Sequence, residues 1–236
     1  MCTVTFVNTA NGIVITSNRD EQVLRGAALQ PEVVAFEGKK IIFPKDVKAG
    51  GTWFAADDEG NFAVLLNGAA EKHHHNPPYK ISRGLILLDI IAQNLPFIAF
   101  GTIDLVGIEP FTIVLLQQSK LYQLRWNGWE KDIVELATTQ NHIWSSATLY
   151  TKEIIAQRET WFREFLANNP RPTNEQLIDF HNYTHTDDTT NGLVINRDDL
   201  LKTISITQVY SANNIVNMLH IDLLNQQTYT NTLPIK

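Results

Sequence analysis

Asn11-Gly12, set between two β-branched runs, constrains this chain more than any other stretch. Val4-Thr5-Phe6-Val7 and Ile13-Val14-Ile15-Thr16 read as strands, and both turn residues tolerate positive φ, so the spacing predicts an N-terminal β-hairpin. The second strand runs on into Asn18-Arg19-Asp20-Glu21, and the one cysteine of the chain stands at position 2. If Asn11-Gly12 is a two-residue turn, Ala10 pairs with Ile13, Val4 lies opposite Arg19, and Cys2 opposite Glu21. Side chains alternate along a strand, so Cys2, Val4, Arg19 and Glu21 then share a face. A three-residue Ala10-Asn11-Gly12 loop with a bulge sets Cys2 opposite Asp20 instead. In either register the thiol lies within about 5–8 Å of an arginine and carboxylates.

Such a neighbourhood suits nucleophilic catalysis. A free thiol ionises near ~8.5, and an adjacent guanidinium favours the thiolate. Removal of Met1, which a small residue at position 2 permits, would leave Cys2 with its own α-amine. That amine titrates near ~7.7–8.0 and can take the thiol proton. The alternative is an ordinary buried cysteine beside a surface ion pair, and spacing alone leaves both open.

Further along, Gly38–Phe43, Gly50–Ala55 and Asn61–Asn67 read as strands, the last two joined by an acidic turn at Asp57-Asp58-Glu59-Gly60. A helix is predicted from an N-cap at Ser82 to a stop before Pro96. Strands are expected at Phe111–Leu116 and Leu121–Trp126. A helix over 151–167 carries Ile154, Ile155, Trp161, Phe162, Phe165 and Leu166 on one face. Thr173 with Gln176 forms a capping box that opens a third helix through about His181. A strand meander, Thr203–Tyr210, Val216–Leu223 and Thr228–Leu233, closes the chain. Strands do not alternate regularly with helices, so the fold class is α+β with antiparallel sheets rather than a parallel βαβ sheet. Without an internal repeat or linker, residues 1–236 read as one domain.

A net charge of -6 and the lack of a basic run argue against nucleic acid and against an anionic membrane surface. The apolar stretch Ile81–Gln93 is broken by Ser82, Arg83 and Asp89, so membrane insertion is not expected. One cysteine cannot make an internal disulfide, and the N-terminus lacks a charged region before an apolar core, so a cytoplasmic location is expected. His73-His74-His75 are sequence neighbours that cannot all converge on one ion, and no carboxylate stands at ligand spacing, so no metal and no cofactor are expected. His181 and His185 have helical ligand spacing without the glutamate a zinc protease needs; His181 is placed instead at a pocket rim. Of the tryptophans, most are expected in the core.

Met1-Cys2-Thr3, Ser17-Asn18-Arg19-Asp20-Glu21, Gly50-Gly51-Thr52-Trp53 and Gly60–Asn67 together resemble the NRDE family, which includes the transport-and-Golgi-organisation proteins. Pro77–Gly84 and Trp144–Tyr150 extend the likeness through most of the chain. That family is similar in turn to N-terminal-nucleophile hydrolases of the choloylglycine hydrolase and penicillin acylase type, which implies a four-layer αββα sandwich. The resemblance implies Cys2 as nucleophile with its α-amine as base, Arg19 to poise the thiolate, Asp20 to hold the amine, and Asn67 as an oxyanion donor. Trp53 and Trp144 fall in the family-like segments and are assigned to a substrate pocket with His181. Where many relatives have Leu-Ser-Asn-Ser this chain has Ile143-Trp144-Ser145-Ser146, so Ser145 replaces a second donor asparagine or leaves the task to Asn141. Arg158 and Arg197 are equal candidates for a downstream arginine.

Two functions follow from that likeness. One is an amidohydrolase that cleaves a small-molecule carbon–nitrogen amide through a Cys2 thioester. The other is a binding or trafficking protein for a hydrophobic or haem-like ligand on the same fold. The oligomeric state has no signal in the sequence.

Overall fold

The N-terminal hairpin forms, with its register moved by two residues. Strand β1 (Thr3–Thr9) pairs antiparallel with β2 (Gly12–Gln22), setting Thr9 opposite Gly12 and Val4 opposite Ser17. The turn is Ala10-Asn11, not Asn11-Gly12. Thr9 decides this: its hydroxyl donates to Gly12 O at 2.8 Å and accepts from Asn11 N at 3.2 Å, which closes the loop one residue early. Gly12 takes φ 119, where a side chain would be strained. Because the shift is even, the alternation survives, and Val4, Ser17 and Arg19 keep one face. The computed structural model describes residues 3–36 and 38–236; Cys2, and with it both of its expected pairings, lies outside the described residues.

In chain order there follow β3 (Leu29–Phe36), β4 (Lys39–Lys45), β5 (Phe54–Asp57), β6 (Phe62–Asn67), α1 (Arg83–Ile91) and α2 (Pro96–Thr102). Then come β7 (Phe111–Gln117), β8 (Lys120–Trp126), β9 (Lys131–Leu136), β10 (His142–Ser145), α3 (Lys152–Asn168) and α4 (Asn174–Tyr183). The chain closes with β11 (Asn196–Arg197), β12 (Leu201–Ala212), β13 (Ile215–Asp222) and β14 (Gln227–Pro234). Among the described residues these strands make two 7-stranded antiparallel sheets. One runs β10-β1-β2-β12-β13-β14 with β11 on β12; the other runs in sequence order from β3 to β9.

Strand periodicity decides how the sheets stack. In β6 the odd residues Ala63 and Leu65 pack with Leu87, Ile91 and Phe100 of α1 and α2, while the even residues Val64 and Leu66 pack with Val4, Phe6 and Val209 of the other sheet. Both faces are covered, so the strand is apolar throughout instead of alternating. On the far side of the first sheet, Val7 and Val14 meet Trp161 and Phe162 of α3 and Phe180 of α4. The order is therefore helices, sheet, sheet, helices: the expected four-layer α+β sandwich. Phe6 and Phe54, both fully buried between the sheets, each contribute roughly 1.5–3 kcal/mol of burial. Among the described residues, no helix is long and apolar enough to cross a membrane.

The predicted caps at Ser82 and Thr173 are in place: Ser82 accepts from Gly84 N, and Thr173 and Gln176 bond reciprocally. Thr151, expected as the first residue of its helix, is instead the N-cap of α3 and accepts from Ile154 N. Pro96 does more than stop a helix. It stands at the first turn of α2, where its missing N–H costs nothing, a helix the sequence reading left out.

Candidate functional site

Strand β2 outruns β1, so its last residues pair with β12, and Arg19 lies opposite Ser205 at a break in register after Thr203. The Arg19 side chain is 4% exposed and crosses toward the second sheet, with its guanidinium carbon 4.1 Å from the Trp53 ring centre. Nη2 donates to Asp46 Oδ2, and Arg25 Nε reaches the same oxygen at 2.7 Å. Asp46 sits in the turn after β4, where its other oxygen accepts from Ala49 N at 2.7 Å and its own N–H donates to Gly51 O at 2.8 Å. Burial works against this carboxylate, yet the Arg25 bond, the Ala49 N–H and the two cations outweigh it and hold Asp46 below the usual carboxylate range. Burial likewise lowers Arg19, offset in part by Asp46. Arginine starts so high that it stays charged.

Arg19 opens onto a narrow cleft of about 70 Å³, whose lining includes Arg25, Trp53, Asn67, Arg83 and Glu21. Asn67 ends β6, and Gly68, at φ 82, turns the chain away beneath Thr148. The Asn67 carbonyl accepts from Ser146 Oγ at 2.8 Å. The floor is a crossing of two glycines. Thr52 N donates to Gly84 O at 3.2 Å, and a Cβ on Gly84 would lie 2.6 Å from Thr52 O. Only glycine lets the Asp46–Trp53 loop lie on the start of α1.

Asp20 faces the other way. It is 2% exposed on the helix side of the sheet, accepting from the Tyr150 hydroxyl at 2.6 Å and from Thr203 Oγ1 at 2.5 Å. Thr3 lies opposite both Asn18 and Ser145, and its Oγ1 accepts from Arg158 Nη1 at 2.6 Å. This separates the two downstream arginines. Arg158 is fully buried, stacks 3.6 Å over Tyr150 and donates to Gly192 O, whereas Arg197, half-buried in the short strand β11, donates to Thr190 O. Ser146, rather than Ser145, is the serine bonded to Asn67. Asn141 is engaged elsewhere: its Oδ1 accepts from Asn8 N at 2.8 Å near the hairpin tip.

Two expected pocket residues lie outside the cleft. His181 is fully buried behind β1 and β2, with Nε2 2.8 Å from Thr5 Oγ1 and Nδ1 on Asn18 Oδ1. It is a core histidine and not a rim residue, because α4 packs on β2 with the His181 face inward. Burial, aided by the charge of Arg158, lowers its pKa to about 3, so it is neutral. Trp144 stacks on His142 and donates to Gln123 Oε1 at 2.9 Å, away from the cleft lining. A carboxylate does approach the triple histidine. His73 Nε2 and His75 Nδ1 each lie 3.2 Å from Glu109 Oε1, a neighbour too distant in sequence for local spacing to reveal. Among the described residues no group of three or more ligand-type side chains could hold a metal ion.

Asp46, Arg25 and Arg83 escaped the sequence reading. Asp46 has a faint signal, an Asx-type turn ahead of Gly50-Gly51. Arg83 has a clearer one: a cation in the first turn of a helix runs against the macrodipole, and such local misfits often mark sites.

Two face-to-face antiparallel sheets between helical layers define the N-terminal-nucleophile hydrolase fold. Solved structures agree. A Caenorhabditis elegans orthologue of N-acylethanolamine-hydrolyzing acid amidase superposes with TM-score 0.62 at 11% identity, covering 88% of this chain and 92% of that one. Two variants of conjugated bile acid hydrolase from Clostridium perfringens give TM-scores of 0.62 and 0.56, each at 9% identity and covering 100% of this chain and 97% of theirs. At such identities the likeness is one of fold. The chain belongs to the Transport and Golgi organisation 2 family, whose model matches residues 1–231. No curated protein matches it by sequence.

Proposed function

We propose that this protein is an N-terminal cysteine amidohydrolase acting on a small-molecule carbon–nitrogen amide. The observation that carries the reading is that Arg19 and Asn67, far apart in sequence, line one cleft, at the end of the sheet where Thr3 pairs with Asn18. Removal of Met1 frees the α-amine of Cys2. That amine takes the thiol proton, and the sulfur attacks the carbonyl carbon, forming a C–S bond and a tetrahedral oxyanion. Asn67 donates to the oxyanion, with Ser145 as a second donor; one such preorganised donor contributes on the order of 3 kcal/mol. Collapse breaks the C–N bond, and the α-ammonium returns its proton to the leaving amine. Water then cleaves the thioester by the same steps in reverse order. In this reading Arg19 favours the thiolate, Trp53 walls the substrate, and Arg158 fixes the start of β1. The charged lining of the cleft favours this reading over a purely hydrophobic ligand.

Intact mass spectrometry with an electrophilic amide or thiol probe tests the proposal. Expected are loss of Met1 and one label on Cys2, absent in Cys2→Ala and slowed roughly tenfold or more in Arg19→Ala. A retained Met1 with thiol reactivity equal to that of free cysteine would sink it.

A further inference from the structure

Trp53, Ser205 and His220 are each more than nine-tenths buried, and Trp53 Nε1, Ser205 Oγ and His220 Nε2 have no hydrogen-bond partner among the described residues. Leaving a buried polar atom unpaired is costly enough to be rare. Three such atoms in one place call for a shared partner.

Strand register brings them together. Along β13, His220 alternates with Met218 and Val216, which fill the layer between the sheets, so its ring faces that layer too. On β12, Thr207 lies opposite His220 and Ser205 opposite Asp222, which puts Ser205 on the same face, diagonal to His220. Diagonal neighbours stand about 7–8 Å apart, and less between side chains. Ser205 also lies opposite Arg19 of β2. Trp53 enters from the start of β5 in the other sheet. Its ring centre is 6.0 Å from that of His220, tilted by 49°, and 4.1 Å from the Arg19 guanidinium carbon. The three atoms therefore border one polar niche between the sheets, beside Arg19.

Their chemistry selects the occupant. An indole N–H only donates, a hydroxyl donates and accepts, and a neutral imidazole has one nitrogen for each role. Burial lowers the His220 pKa to about 4, so the ring is neutral at pH 7. Its Nδ1 lies 2.9 Å from Thr207 Oγ1, which fixes the ring and leaves Nε2 the complementary role. A cation cannot accept from the indole and is repelled by Arg19. Water meets every demand here, and buried waters typically make about three such bonds.

We infer that Trp53, Ser205 and His220 hold a buried water between the sheets, and that His220 acts through it as a positioning residue, fixing the ring on which Arg19 rests. The water site is independent of the hydrolase reading. The positioning role rests on that reading, in which Arg19 poises the Cys2 thiol.

A high-resolution crystal structure tests the site. Density for an ordered water within about 3.2 Å of all three atoms is expected; direct bonds or apolar contacts in its place overturn it. Ser205→Ala supplies a sign. Deleting a hydroxyl that is truly unpaired relieves the protein, whereas deleting one bonded to water removes a bond, so a lowered thermal midpoint is expected. An unchanged or raised midpoint overturns the site.

Positioning is read from the pH profile of Cys2 labelling by a thiol probe. Glutamine carries its amide group near the place of His220 Nε2, and asparagine near that of Nδ1. His220→Gln should therefore keep the wild-type profile. His220→Asn, which keeps only the Thr207 bond, should move the profile to higher pH and slow labelling about threefold or more at pH 7. Equal profiles for the two variants overturn the positioning role, because lost packing would displace both alike. Should these variants fold poorly, Ser205→Ala, the smaller change, must show the same upward shift. Wild-type Cys2 no more reactive than free cysteine removes the hydrolase reading and the positioning role with it, and the water site is then decided by the density and the sign of Ser205→Ala.

Discussion

Two buried groups of opposite chemistry set how this protein responds to acid. Asp46 is held below the ordinary carboxylate range, so the stability it contributes is present above about 3.9 and lost only as pH falls beneath that. His181 acts earlier. Its folded pKa is about 3 while an unfolded histidine titrates near ~6.5, so below ~6.5 the unfolded chain binds a proton that the folded one refuses. Stability then falls by about 1.4 kcal/mol per pH unit for this one residue. His220, pushed to about 4 by burial, adds to the same window. Urea unfolding from pH 7 to 4.5 should give a steep loss in the wild type, and His181→Gln should remove about one proton from the slope. An unchanged slope would mean that His181 is already charged in the folded protein. Residue-level reading of the sequence reached Arg19, Trp53 and Asn67, all in the cleft, because turn geometry and a family likeness bear on them directly. It misplaced His181, since helical spacing locates a face without saying what packs on it. Asp46 and Glu109 acquire their partners through tertiary packing, which local rules do not contain.

Elements were legible where their ends carry chemistry. Ser82 and Thr173 mark helix starts through side-chain oxygens, and a hairpin turns at Asn213-Asn214 with positive φ. Strands β3 and β9 were not found. Each is an edge strand whose residues are mostly exposed, so burial imposes no period of two on the sequence. The four residues of β10 are too few for a pattern, although they pair with β1 and bring Ser145 opposite Thr3. The crossing of Gly51 and Gly84 is the element-level feature most open to test. A Cβ on Gly84 would stand 2.6 Å from Thr52 O and 2.9 Å from Thr52 N, both backbone atoms that cannot rotate aside. Gly84→Ala should therefore cost about 1–3 kcal/mol or more, even though alanine favours a helix by about 1 kcal/mol over glycine. Thermal unfolding checks the sign: a midpoint equal to or above that of the wild type would show that the loop yields without cost.

At the scale of the molecule, the central apolar layer is what the two sheets share. Val4, Phe6 and Val209 from one sheet interleave with Ile42, Phe54 and Val64 from the other, all fully buried. The chain end adds a second tie. Asn231 Nδ2 donates to Pro31 O at 2.9 Å, and Lys236 bonds Asp58 through its backbone N–H to O at 2.8 Å and its ammonium to Oδ2 at 2.9 Å, joining β14 and the last residue to the opposite sheet. Neither sheet can leave without exposing the inner face of the other, which would lose roughly 25 cal/mol for each Å² uncovered. The cleft depends on this union, because Arg19 comes from one sheet while Asp46, Trp53 and Asn67 come from the other or its loops. We therefore propose that residues 1–236 unfold as one unit despite the length of the chain. Tryptophan fluorescence, which reports Trp53 at the interface and Trp161 in the outer helical layer, should follow the same urea curve as far-ultraviolet circular dichroism. Separated midpoints would mean that the sheets come apart before they melt, and the cleft would then be the first feature lost.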